Sequence, residues 1–132
     1  MKLIIKDDET LEKLWNDLDN IFPDCPFDIA CIEDINELDK IFSEEKTIII
    51  KDDRANNYNY YYNKLDKNDL PKYNDYLVVK QKDDKPITLR QVLTEMYKSS
   101  HYNNEIISQD DHRFLEKFEK KTDIEYTIFW GS

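Results

Sequence analysis

The stretch from Tyr76 to Tyr97, YLVVKQKDDKPITLRQVLTEMY, constrains the fold more than any other part of the chain. Its apolar run Tyr76-Leu77-Val78-Val79 reads as a buried strand, and Lys82-Asp83-Asp84-Lys85-Pro86 reads as a turn. A helix then announces its own start. Thr88 as N-cap and Gln91 three residues later can each satisfy an orphan backbone donor, and Pro86 discourages an earlier beginning. Beyond the cap, Leu89, Val92, Leu93 and Met96 share one face, with Arg90, Gln91, Thr94 and Glu95 opposite. A strand, a turn and a capped helix in succession require a fold that mixes both kinds of element. They bring no recognisable chemistry with them.

The chain of 132 residues is the size of one domain. It contains no apolar run long enough for a membrane helix, and Met1 to Asp7 is too short and too quickly acidic for a signal peptide. The expectation is a soluble, cytoplasmic protein. Cys25 and Cys31, in such a setting, are expected to be reduced thiols.

The net charge of −10 is unevenly placed. Residues 1–53 hold 16 acidic and 6 basic side chains, whereas residues 54–132 hold 13 of each. All the excess negative charge therefore lies in the first part. Such a field repels phosphate backbones and anionic membranes and favours a basic partner.

Taken in order, Lys2 to Lys6 reads as a short strand. Residues 9–22 read as an amphipathic helix, with Leu11, Leu14, Trp15, Leu18, Ile21 and Phe22 on one face and Glu12, Asp17 and Asp19 outward, ending before Pro23. Phe27 to Ile32 reads as a short strand. Asp34 then caps an expected helix with Ile35, Leu38, Ile41 and Phe42 inward and Glu37, Asp39 and Lys40 outward. Thr47 to Ile50 has three β-branched residues in a row and reads as the clearest buried strand. WNDLDNIF resembles INELDKIF, and LIIKDD resembles IIIKDD, but the two offsets differ, so no single repeat unit explains both.

Arg54 to Lys64, RANNYNYYYNK, follows neither periodicity. Tyr58, Tyr60, Tyr61 and Tyr62 among asparagines suit either a loop or an edge strand, and they also suit protein contact. Further on, Ser108 or Asp110 can cap a helix with Phe114, Leu115 and Phe118 inward and Lys120 and Lys121 in its last turn. Thr122 to Trp130 alternates Ile124, Tyr126, Ile128 and Trp130 against polar residues, which predicts a terminal strand with one buried face.

The composition is rich in Ile, Lys, Asn and Tyr and poor in Ala, Gly and Arg, the mark of AT-rich codons. In that bias, and in the phrasing of PITLRQVLTEM, HRFLEKFEKKTDIEYTIFWGS and the Asn/Tyr tract, the chain resembles small uncharacterised proteins of giant DNA viruses of the mimivirus kind. The resemblance implies a host-cytoplasmic or virion setting and transfers no functional residue.

Chemistry is hard to place on this chain. The single glycine, Gly131, excludes the known phosphate-cradling loops and the nucleophile elbow. Asp110, Asp111 and His112 form the best local cluster for a metal, with His101 upstream, yet neither histidine nor cysteine spacing matches a zinc site. Acidic capping of a helix explains the two aspartates equally well. Cys25, in a loop, is the better candidate nucleophile of the two thiols.

These readings predict a single α+β domain, a mixed sheet of about five short strands packed with about four helices. The strands Lys2–Lys6 and Thr47–Ile50 are expected to pair in parallel. The functional expectation is a non-enzymatic interaction module, without cofactor or metal. Its acidic surface of Glu12, Asp17, Asp19, Glu37 and Asp39, joined by Tyr58, Tyr60, Tyr61 and Tyr62, would contact a basic protein and neither nucleic acid nor membrane. The alternatives are a small metal-dependent hydrolase using Asp110, Asp111 and His112, and an acidic nucleic-acid mimic that inhibits a DNA-binding protein.

Overall fold

Helix α1 (Asp8–Ile21) forms where the apolar stripe predicts it, burying Leu14, Leu18 and the following Phe22. The amide of Phe22 still donates to Leu18 O at 2.8 Å. Pro23 then ends the run, and Asp24 turns the chain with φ 54°. Trp15 departs from the expectation: it is 59% exposed.

The computed structural model describes residues 8–52, 76–99 and 114–131. After α1 come β1 (Asp28–Ile29), a 3-10 turn (Ile35–Asp39), β2 (Ile41–Ser43), β3 (Thr47–Lys51), β4 (Tyr76–Lys80), β5 (Ile87–Thr88), α2 (Leu89–Lys98), β6 (Phe114–Lys120) and β7 (Glu125–Gly131). The fold is α+β, with a mixed five-stranded sheet in the order β1-β6-β7-β3-β4 and a two-stranded β2-β5 sheet. β1 runs parallel to β6 and β3 parallel to β7, while the β6-β7 and β3-β4 pairs are antiparallel.

Strand β3 occupies the interior of this sheet, as its β-branched run demands. Ile48 and Ile50 are fully buried, with Val79 of β4 opposite Ile48 and Tyr126 of β7 opposite Ile50. Its parallel partner is β7, over Ile49–Lys51, and its other edge is taken by β4; the strand expected to run parallel to it is Lys2–Lys6. Those early residues lie outside the described part. Among the described strands β4 is the sheet's edge: only Val79 is buried, and Tyr76 and Val78 are exposed, so the run is a one-sided strand.

Three further expectations are corrected. The strand expected over Phe27–Ile32 is only two residues long. The helix expected after Asp34 is a single 3-10 turn followed by β2. Asp34 caps it through Asn36 N (2.8 Å), while Glu37 Oε2 accepts from Asp34 N (2.9 Å) and from Glu33 N (2.6 Å). The chain then turns extended at Lys40, and Ile41 and Ser43 pair with Thr88 and Ile87. A cap specifies where a helix starts, not how far it runs. Here the long-range pairing with β5 stops it after one turn.

The helix expected over Phe114–Lys121 is strand β6. Leu115 faces Trp130 and Lys117 faces Phe129, so Glu116 has no residue opposite it in β7. This β-bulge brings Leu115 and Phe118, three residues apart, to the same face of a strand. A spacing of three is the signature of a helix, and the bulge imitates it. Among the described residues there are accordingly two α-helices where about four were expected.

The cap at Thr88 holds, with its Oγ1 accepting from Gln91 N at 3.2 Å. Gln91 does not close the box; its amide donates to Lys80 O and ties α2 back to β4. Between them the turn at Asp83-Asp84 has φ 55° and 54° and a Lys85 N to Lys82 O bond of 3.1 Å, the features of a type I′ turn. α2 buries Val92, Leu93 and Met96. β7 buries Tyr126 and Ile128, as its alternation predicts, whereas Ile124 lies ahead of the strand and is 46% exposed. Edge-to-face ring contacts between Phe42 and Phe118 (5.1 Å) and between Phe27 and Trp130 (6.0 Å) join the layers.

Candidate functional site

One cleft of about 1060 Å³ opens between α1 and the outer end of the five-stranded sheet. Leu11, Leu14, Trp15, Leu18 and Phe22 line it from the helix, at the three- and four-residue steps that put them on one face. Residues between Pro23 and Glu33, including β1, form the opposite side, with Phe114 at the start of β6. Trp15 and Phe114 are both exposed, large and apolar, and both belong to this cleft.

The polar lining has one sign. Asp19, Asp24, Asp28 and Glu33 are the charged residues lining the cleft, and no lysine or arginine lines it among the described residues. An apolar floor with a carboxylate rim suits a ligand that is apolar along one side and cationic along its margins.

The expected acidic surface divides on inspection. Asp19 lines the cleft. Glu12 is exposed and Asp17 half-buried on the same helix, outside the lining. Glu37 is occupied in capping its own turn and lies 3.9 Å from Lys40. Asp39 takes a forked contact from Arg90, with Nε to Oδ1 at 2.9 Å, and that guanidinium hydrogen bond holds its carboxyl below the usual range. These two carboxylates serve the fold by tying the 3-10 turn together and to α2. Tyr58, Tyr60, Tyr61 and Tyr62, and likewise Asp110, Asp111 and His112, lie outside the described residues.

Sequence reading passed over Asp24, Asp28 and Glu33, and placed Trp15 and Phe114 on inward helical faces, whereas both are exposed. A residue's charge is visible in a string of letters, but the direction it faces across a loop is not. Residues 23–33 carry no periodicity from which to infer one.

The thiols offer no activated nucleophile. Burial pushes both Cys25 and Cys31 up to about 11, and neighbouring carboxylates, Asp28 and Asp19 at Cys25 and Glu37 at Cys31, push the same way. Reactive cysteines are displaced in the opposite direction. No group of three or more His, Cys, Asp or Glu side chains is arranged to hold a metal among the described residues. No helix among them is long and apolar enough to cross a membrane. Compared with protein-family models, curated proteins and solved structures, the chain matches none.

Proposed function

We propose that this protein is a non-enzymatic interaction module whose acidic N-terminal region receives a basic segment of another protein in the cleft between α1 and β1. The observation that carries the reading is the composition of that cleft. Its floor is leucine, phenylalanine and tryptophan, and among the described residues its charged rim is carboxylate only. A nucleic-acid mimic would need carboxylates spaced over an open surface, and the apolar floor favours a protein segment over that alternative.

Capture of a lysine-rich amphipathic peptide tests the reading. Neutralising Asp19, Asp24, Asp28 and Glu33 together, as D19N/D24N/D28N/E33Q, is expected to weaken capture about thirtyfold at low salt, at a modest contribution from each exposed pair. Neutralising Glu44 and Glu45, exposed and outside the cleft, is expected to change it less than about twofold. Equal effects of the two sets, or DNA competing for the site, would remove the proposal.

A further inference from the structure

The cleft contains a sheet edge as well as side chains. Strand β1 is the last in the sheet order, and Asp28, Ile29 and Ala30 line the cleft. Ile29 is paired with Leu115, and Ala30 N donates to Leu115 O at 3.0 Å. In a parallel ladder of this register the backbone polar groups of residues 28 and 30 point to β6. Those of Ile29 point the other way, toward the cleft, and have no ladder partner among the described residues.

An exposed edge with an amide and a carbonyl presented into an apolar groove is the arrangement that accepts an added strand. We infer that the partner binds as an extended peptide, adding a strand at the outer edge of β1, with apolar side chains toward α1 and lysine or arginine at the alternate positions. This rests on the proposed interaction function and specifies how the ligand is held. The side-chain pattern follows from the register. Asp28 and Phe114 face each other on one side of the sheet and Ile29 and Leu115 on the other, so successive ligand side chains meet different surroundings. Leu11 to Phe22 span about 16 Å of helix, the length of about five extended residues. Charge complementarity chooses the cationic residues, since the rim holds four carboxylates and no described base.

Two nine-residue peptides of identical lysine and valine content separate this mode from its alternative. One alternates the two residues; the other places valine at i, i+3, i+4 and i+7, the spacing of a single helical face and not of a strand face. With the full chain, the alternating peptide is expected to bind at least about tenfold tighter, read by the emission of Trp15 with Trp15→Phe as the control for Trp130. N-methylation of the alternate residues whose amides face β1 is expected to cost about tenfold, and of the intervening residues less than about twofold. Equal binding of both peptides, each weakened by neutralising the rim, would leave the interaction function standing and overturn the strand mode. Binding of either peptide that ignores the rim would overturn the function itself. A full chain that binds neither peptide, but binds the alternating one after removal of residues 1–6, would make the chain's own Lys2–Lys6 run the occupant and overturn the proposal.

Discussion

Deletion of Glu116 distinguishes a bulged strand from the helix that the sequence of β6 suggests. Along β6 the pairs with β7 are Phe114 with Gly131, Leu115 with Trp130, Lys117 with Phe129 and Phe118 with Ile128, and Glu116 has none. Removing it leaves every one of these pairs in place and closes the ladder into a regular one. Leu115 and Phe118 then stand two residues apart, which in a strand is again one face. The side chain that leaves is exposed and lies across Gly131. The expected cost is therefore within about 1 kcal/mol, the loss of the local twist that a bulge supplies. In a helix the same deletion would rotate everything after it by about 100° and carry Phe118 out of the core. Displacing Phe118, half-buried against the core, would cost about 2 kcal/mol, below the about 3–5 kcal/mol of a fully buried phenylalanine. Deletion of Thr127 is the matched control. It sits between the buried Tyr126 and Ile128, so its loss puts one of them on the wrong face and is expected to cost at least about 3 kcal/mol. Urea denaturation with a comparison of slopes measures both. If the two deletions destabilise equally, the bulge is not what places Phe118.

Three other outcomes follow from single contacts. Trp130 Nε1 donates to Oδ1 of the buried Asp52 at 3.0 Å, so Trp130→Phe is expected to cost about 1–3 kcal/mol and lower Tm by about 4–12 °C; a fall under about 2 °C in calorimetry would show that the bond contributes little. Asp84→Gly is expected to stabilise the β4–β5 connection by up to about 1 kcal/mol, because glycine accepts φ 54° without the strain of a Cβ, and a loss of stability in urea would contradict the type I′ assignment. A thiol raised from 9.0 to about 11 is about a hundredfold poorer in thiolate at pH 8, so alkylation of Cys25 and Cys31 in the folded protein should lag a free cysteine by about that factor and accelerate as pH rises toward 11. Modification at the free-thiol rate would mean that the two sites open to solvent.

Legibility in the sequence tracked how local the determinant was. α1 and α2 were readable because their stripes and the Thr88 cap act within a few residues of chain, and β3 and β7 because β-branched content and strict alternation are also local. The failures all involve a distant partner. Ile41 to Ser43 has the right spacing to continue a helix, and becomes a strand only because Ile87 and Thr88 lie beside it. Leu115 and Phe118 have helical spacing, and only the ladder with β7 converts it into a bulge. Tyr76 to Val79 reads as fully buried, since an apolar run does not reveal that it stands at the sheet's edge. Tertiary pairing overrode propensity in each case.

The same distinction governs the site. Counting charge locates the acidic excess in the first 53 residues, but a count has no direction, and the fold sorts those carboxylates by what they touch. Glu37 accepts two backbone amides of its own turn, so Glu37→Gln is expected to cost about 1 kcal/mol of stability, as the weakening of a cap does, and to leave peptide binding within about twofold. Asp39, held by Arg90, should likewise affect the fold before the cleft. Its lowered pKa means that the small stabilisation is present above the ordinary aspartate range and fades as pH falls through the lower, folded value. Asp28→Asn should do the reverse. It lines the cleft, is exposed and has no ion pair among the described residues, so its removal should leave stability within about 0.5 kcal/mol and weaken capture of the alternating peptide by about two- to fivefold. Thermal unfolding and peptide titration of Glu37→Gln, Asp39→Asn and Asp28→Asn measure both effects. If Glu37→Gln weakens binding as much as Asp28→Asn, the acidic surface acts as one diffuse field and the cleft has no special claim on the ligand.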